Sequence, residues 1–102
     1  MVKQWAAGFL GMMLSAATAL AQTLTVPTSI SSGDTISIGY HDQARAGQTI
    51  TVRIDQSGLE RTEIEVYIHL DQDGRGTVSW TVPDLISVAF NAPGVRQITR
   101  LL

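Results

Sequence analysis

The chain of 102 residues contains no cysteine. This absence excludes disulfide bonds, thiolate metal sites and a cysteine nucleophile, since each of them needs a thiol. Basic residues are few, with 7 against 9 acidic residues and a formal net charge of -2. A nucleic-acid-binding protein normally presents a strongly basic face. We therefore expect no nucleic-acid partner, and a domain that is stabilised by packing or by assembly rather than by cross-links.

Residues 1–21 have the three-part pattern of a secretory signal peptide. Lys3 gives a short basic start, residues 5–14 are an uninterrupted apolar stretch, and the small residues that follow end in Ala19-Leu20-Ala21, which fits a cleavage site. The apolar stretch is shorter than the ~20 residues that a membrane-spanning helix needs, which disfavours the alternative of a retained anchor. We predict cleavage after Ala21, a secreted or periplasmic location, and no stable membrane span after cleavage.

Residues 22–102 are predicted to form one all-β domain. Apolar and polar residues alternate with a period of two, as in strands with one wet face. Asp73-Gly74 lies between two alternating segments and predicts a hairpin, and the arginines of the final segment predict a sheet edge. Trp80 shares its face with Val78 and Val82, which predicts a core position. The predicted strands cover residues 23–26, 35–40, 49–55, 62–70, 77–82, 86–90 and 95–101.

These seven strands, separated by turn signals, are typical of a two-sheet antiparallel sandwich, with a small barrel as the alternative. The segments GDTISI at 33–38, AGQTITV at 46–52, and DGRG at 73–76 ahead of VSWTV at 78–82 resemble the strand and turn phrases of secreted bacterial immunoglobulin-like domains. The resemblance implies a seven-stranded antiparallel immunoglobulin-like sandwich over residues 22–102. It also implies an extracellular or periplasmic module for adhesion, matrix building or ligand binding.

Metal binding is considered at two places and predicted at neither. Asp71, Asp73 and Gly74 superficially match a calcium loop, whose acidic oxygens wrap a hard cation. With Gly74 at the loop's glycine position, however, the position of the bidentate Glu falls on Trp80, so a tight turn is the favoured interpretation. His69 could share an outer face with Asp71, but a transition metal would then have only one nitrogen ligand. We predict no metal and no other cofactor.

Glu63 and Glu65 are the best candidates for paired catalytic carboxylates. Two strand steps of ~3.3 Å separate them, a distance between the carboxyl spacings of the two glycosidase classes. Such catalysis needs one acid in a buried position, whereas both are expected to face water. We expect them to pair instead with arginines on neighbouring strands, such as Arg53 or Arg61, and we predict that the protein is not an enzyme.

Two functions are compatible with these patterns. The first is an exported structural or adhesive protein of the cell envelope or extracellular matrix, able to self-associate, with a second copy or an envelope or matrix component as its partner. The alternative is a glycan- or peptide-binding module that uses the exposed strand face of Glu63, Glu65, Tyr67 and His69, where a ring stands beside hydrogen-bonding groups. A flat hydroxyl array for ice or glycans could also be formed by Thr35, Ser37, Thr49, Thr51, Thr77, Ser79 and Thr81.

Overall fold

The computed structural model describes residues 22–58, 60–85 and 87–102, so the predicted signal peptide lies outside the described residues. These ranges contain eight strands and a short 3₁₀ turn at Gln43–Arg45. No helix within them has the length and apolar character needed to cross a membrane. The strands are β1 (Thr23–Thr25), β2 (Ser29–Ile30), β3 (Thr35–His41), β4 (Thr49–Ser57), β5 (Arg61–His69), β6 (Arg75–Thr81), β7 (Ser87–Ala92) and β8 (Val95–Leu101).

The strands form two sheets, which confirms the all-β, two-sheet prediction. One sheet has three strands in the order β1-β3-β6, and the other has five in the order β2-β8-β7-β4-β5. The predicted count of seven strands is wrong, because β2 is an additional strand that pairs in parallel with the end of β8, placing Ser29 beside Arg100. The sheets are therefore not antiparallel throughout. A strand of two residues, separated from Pro27 only by Thr28, is too short to show a period in the sequence.

The core lies between the sheets and is filled by the alternating apolar positions. Trp80 of β6 and Phe90 of β7 meet edge to face across it, with ring centroids 5.7 Å apart, so the predicted core position of Trp80 is confirmed. Ile64 and Val66 of β5 are only half-buried because their strand lies at a sheet edge. The buried apolar side chains are Leu24, Ile30, Ile36, Ile38, Tyr40, Ile50, Val52, Ile54, Ile68, Leu70, Trp80, Val82, Val88, Ala89 and Phe90.

The predicted turn at Asp73-Gly74 exists, but it does not form a hairpin. It connects β5 of one sheet to β6 of the other, and the Asp71 N–H donates to the Arg75 carbonyl (2.9 Å) to close it. Gly74 has a φ of +79°, and its carbonyl accepts from the Asp42 N–H at 2.9 Å. A Cβ at this position would collide with the Asp42 carbonyl oxygen. The turn therefore packs against the β3–β4 connection. Both connections cross from one sheet to the other, and they contact each other where they cross.

The two edges of the five-stranded sheet are open for most of their length. Among the described strands, β5 pairs only with β4, through an unbroken register from Thr49 opposite His69 to Ser57 opposite Arg61. Within the described ranges, β8 pairs with β7 over residues 95–99 and with β2 at Arg100 and Leu101. The predicted edge position of the last strand is thus found over residues 95–99.

Candidate functional site

The outer face of the five-stranded sheet, called here the charged face, collects most of the charged side chains of the strands. The register aligns its outward residues in rows that cross four strands. One row is Glu65, Arg53, Asn91 and Arg96, and the next is Glu63, Asp55, Ala89 and Ile98. Ala89 is the small residue of the second row, so the face is lowest beside it.

The four residues predicted to form a binding face lie on β5, and all of them are exposed. Tyr67 is 59% exposed, and its hydroxyl donates to Glu65 Oε1 at 2.9 Å. That hydrogen bond and the negative charge of Glu65 raise the pKa of the Tyr67 hydroxyl. His69 is joined instead to β4, with its Nδ1 2.9 Å from Thr49 Oγ1. The structure therefore brings Tyr67 and Glu65 together, while Glu63 makes no side-chain hydrogen bond within the described ranges.

The ion pairs expected for Glu63 and Glu65 are not formed. Arg53 stands opposite Glu65 in the register, but within the described ranges no guanidinium nitrogen lies within 4.0 Å of either glutamate. Both partners are exposed, and exposed ion pairs gain little because water already solvates each charge. The expectation was wrong because the Coulomb gain does not exceed the side-chain entropy of holding two long chains together.

A hydrogen-bonded network that the sequence did not suggest joins β4, β7 and β8. Asn91 Nδ2 donates to Asp55 Oδ2 at 3.1 Å, and Arg96 Nη1 donates to Asn91 Oδ1 at 2.8 Å. Arg96 Nη1 also lies 3.7 Å from Asp55 Oδ2. An acid, an amide and a guanidinium far apart in sequence give no local signal, because only the pairing register of three strands brings them together.

A shallow depression of about 340 Å³ lies next to this network. Its lining includes Ser57, Arg61, Ser87, Arg96 and Ile98. Two guanidinium groups, two hydroxyls and one exposed apolar side chain can bind a polar ligand from solution. The depression is open to solvent. It therefore does not provide the enclosed, water-excluded site that raises the pKa of a catalytic carboxyl.

The outer face of the three-stranded sheet, called here the hydroxyl face, has a different composition. Thr35, Ser37, Thr77, Ser79 and Thr81 are all exposed on it, and the Oγ1 atoms of Thr35 and Thr81 share a hydrogen bond of 3.0 Å. Five of the seven predicted hydroxyl positions thus form one array, whereas Thr49 and Thr51 lie on the other sheet. A depression of about 530 Å³ runs over Gly39 of this face.

The place where the β3–β4 and β5–β6 connections meet contains a buried carboxylate, Asp42, which is 2% exposed. Asp42 accepts hydrogen bonds from the Ala44 N–H and from Arg45 Nε, both at 3.1 Å. Nearby, the Tyr40 hydroxyl donates to the Pro93 carbonyl at 2.9 Å. Burial, and then the negative charge of Asp42, raise the pKa of the Tyr40 hydroxyl. A capping role for Asp42 could have been read from its place before a short helical turn, but its burial could not.

The acidic turn uses its own carboxylate. Asp71 Oδ1 accepts from the Asp73 N–H at 2.8 Å and from the Arg75 N–H at 3.0 Å. These backbone donors lower the pKa of the Asp71 carboxyl. In the part of the chain that the structure describes, no three side chains of the histidine, aspartate and glutamate types are grouped so that they could hold a metal ion.

No family model, curated protein or solved structure matches the chain. The two faces, the contact between the sheets and the open sheet edges are therefore the features from which a function can be inferred. Of the open edges among the described strands, β5 is the longest, with nine residues.

Proposed function

We propose that the mature chain is an exported, non-catalytic structural or adhesive protein of the cell envelope or extracellular matrix. It associates with copies of itself, or with an envelope or matrix component, through the edges of the five-stranded sheet. The observation that carries the proposal is the open edge of β5, which is nine residues long and pairs with β4 alone among the described strands. Unpaired N–H and C=O groups along such an edge are a template for another strand.

The sequence of β5 supports this use of the edge. Edges that must stay free usually carry charged side chains, above all lysine, or proline, a bulge or a very short strand. β5 does carry charge, at Arg61, Glu63 and Glu65 on its outer face. β5 contains neither lysine nor proline, and its register with β4 is continuous from residue 61 to residue 69. Its half-buried Ile64 and Val66 would be covered further by a neighbouring strand, which adds apolar burial to the backbone hydrogen bonds.

We infer further that the sandwich is immunoglobulin-like. The order β8-β7-β4 in one sheet and β1-β3-β6 in the other corresponds to the two sheets of that architecture, with β5 placed beside β4. Export is supported by the basic, apolar and small-residue pattern of residues 1–21. An adhesive or structural role suits a cysteine-free module of this kind, since neighbours can supply the stability that cross-links would otherwise give.

A second candidate function is the binding of a glycan or peptide on the face of Glu63, Glu65, Tyr67 and His69. Its support is the geometry of Tyr67, a largely exposed ring whose hydroxyl is held by Glu65. A ring fixed in this way offers an apolar surface next to a hydrogen-bond acceptor, which is the combination that sugars contact. A non-catalytic role fits both candidates, because Glu63 and Glu65 are exposed rather than buried.

The experiment is to express the chain with its complete N-terminal segment, recover it by cell fraction and measure its mass by light scattering over a wide concentration range. We expect a product that begins at Gln22, is found outside the cytoplasm, and gains mass with concentration. A cytoplasmic product, or a monomer at all concentrations that is not retained by the envelope or matrix, would contradict the proposal.

Binding of Tyr67→Ala, compared with Tyr67→Phe, on a glycan array tests the second candidate, because only the first variant removes the ring.

A further inference from the structure

We propose that copies of the chain join head to tail, with β5 of one copy paired antiparallel to β8 of the next. This inference rests on the proposed self-association and names its partner, its two edges and its register. The first observation behind it is that the middle of β5 is acidic whereas β8 is basic, although β5 begins with an exposed arginine, Arg61. The outward residues in the middle of β5 are Glu63 and Glu65, whereas those of β8 include Arg96 and Arg100 and no acid.

The direction of the strands is suitable for such a junction. β5 is antiparallel to β4, β4 to β7, and β7 to β8. β5 and β8 of one sheet therefore run in opposite directions. A second copy displaced along the sheet, without rotation, brings its β8 beside β5 in the antiparallel sense, in which backbone hydrogen bonds run straight between strands.

The rows of the charged face define the register. Continuing the row of Glu65, Arg53, Asn91 and Arg96 across the junction places Glu65 opposite Arg96 of the next copy. Directly opposite residues of opposite charge stabilise a strand pair. The same register places Glu63 opposite Ile98 of the next copy. The pairing ends before Arg61, because Arg61 would fall opposite Arg100, which β2 already pairs, so the junction uses the part of β8 that β2 leaves uncovered.

The inner side of the junction fits the same register. Val66 of β5 comes to lie opposite Val95 of the next copy, and both residues are only half-buried in one chain. Pairing would cover them and extend the two cores into one layer. The apolar contact and the ion pair lie on opposite sides of the new strand pair, so each contributes without displacing the other.

Pairing of like edges gains less from charge. Two β5 strands paired antiparallel about Ile64 would place Glu63 of each copy opposite Glu65 of the other, and two β8 strands paired about Ile98 would place Arg96 opposite Arg100. Like charges on neighbouring strands destabilise the pair. Because β5 and β8 are different surfaces, each copy retains one free edge after joining, and a displaced copy without rotation gives an open chain rather than a closed dimer.

The test uses two charge reversals, Glu65→Arg and Arg96→Glu, in the full-length chain expressed with its N-terminal segment. Each variant alone would place like charges at every junction, so we expect association about tenfold weaker than that of the wild type. In a mixture of the two variants, opposite charges again face each other at every junction between unlike copies, so association should return. A melt of each variant followed by circular dichroism checks that Arg96→Glu, which loses its bond to Asn91, still folds.

Cross-linking tests the register directly, because the chain has no cysteine of its own. Opposite residues of antiparallel strands lie about 4.5–5.5 Å apart at Cα, which suits a disulfide. Glu63→Cys and Ile98→Cys change two exposed side chains. We expect a mixture of the two variants to form disulfide dimers on oxidation, and each variant alone to form few.

The outcomes separate the two proposals. If the wild type is a monomer at all concentrations, self-association itself fails. If it assembles but the mixture neither recovers association nor cross-links, the pairing of β5 with β8 is overturned while the structural role survives. Efficient cross-linking of Glu63→Cys alone would show a symmetric β5 pair instead, and Arg96→Glu would then associate like the wild type.

Discussion

The hydroxyl face and the charged face are built on strands of the same period and cover the same core, but they differ in how their side chains interact. On the hydroxyl face, Thr35 and Thr81 share one hydrogen bond between short neutral groups. On the charged face, Asp55, Asn91 and Arg96 form a network across three strands. Backbone pairing therefore dominates the lateral contacts of the first sheet, whereas side chains contribute more to those of the second.

The two faces also suit different partner surfaces. The hydroxyl face is neutral along the middle of β3 and β6, so it can approach another neutral surface without desolvating a charge. The charged face presents Glu63 and Glu65 in the middle of β5 and arginines at β8, so its two ends differ in charge. If the two faces are independent, substitutions of single residues on one face leave the other unchanged.

The largest effect is expected where the two sheets depend on the same residue. Phe90 is fully buried and meets Trp80 of the other sheet. Phe90→Ala should lower the free energy of unfolding by about 3–5 kcal/mol, because it leaves a cavity between the sheets. Urea unfolding followed by Trp80 fluorescence measures this, and both faces should be lost in one transition.

Ile98→Ala is the matched control for that variant. Ile98 is 73% exposed on the charged face, so its truncation should change the free energy of unfolding by no more than about 0.5 kcal/mol. Equal effects of the two substitutions would contradict a core shared by both sheets.

The next effect distinguishes the faces from each other. Asn91→Ala removes the donor to Asp55 and the acceptor for Arg96, and should cost about 1 kcal/mol because Asn91 and Asp55 are partly buried. Ser79→Ala, an exposed hydroxyl on the other face, should cost less than about 0.5 kcal/mol. Urea midpoints of the two variants give the comparison, and equal losses would mean that the network adds nothing to lateral stability.

Much of the fold could be predicted from alternation, and each of the two errors has its own cause. The inward positions of β4 and the core position of Trp80 followed from the period of two, because each strand has one dry side. The hairpin at Asp73-Gly74 was wrong because a sequence shows that the chain turns but not which strand it meets afterwards. β2 was missed because two residues show no period.

The candidate site was predictable only where it lies on one strand. Glu65 and Tyr67 are two positions apart on β5, so their shared face followed from the sequence alone. The network of Asp55, Asn91 and Arg96 depends on the register of three strands, because that register determines which side chains lie beside Asp55. Information of this kind is distributed over the whole chain and has no local pattern.

A gain in stability is predicted on the hydroxyl face. A Cβ on Gly39 would lie 3.7 Å from Thr25 Cβ and 3.8 Å from Thr77 Cγ2, which is ordinary contact. Gly39→Ala should therefore raise the free energy of unfolding by about 0.4–1 kcal/mol, because it restricts the unfolded chain. Gly74→Ala is the contrasting variant and should lose stability, since its Cβ would meet Asp42. Urea unfolding of both variants measures the difference, and a loss for Gly39→Ala would mean that this face is packed more tightly than its open depression suggests.

The smallest effect concerns acid at the border of the hydroxyl face, where Asp71 closes the turn between the sheets. Its pKa is lowered by the N–H groups of Arg75 and Asp73, so the folded chain holds this proton less tightly than the unfolded chain does. The resulting stabilisation is present above about pH 4 and is lost as the pH falls below it. Asp71→Asn cannot titrate, so its melting temperature should fall less steeply than that of the wild type between about pH 4 and pH 2. Asp73→Asn removes the same charge and leaves the Asp71 carboxylate in place, so it controls for net charge. If the melting temperatures of Asp71→Asn and the wild type fall equally with pH, the turn does not contribute to acid sensitivity. The stability of the border of the hydroxyl face would then depend on pH no more than that of its centre.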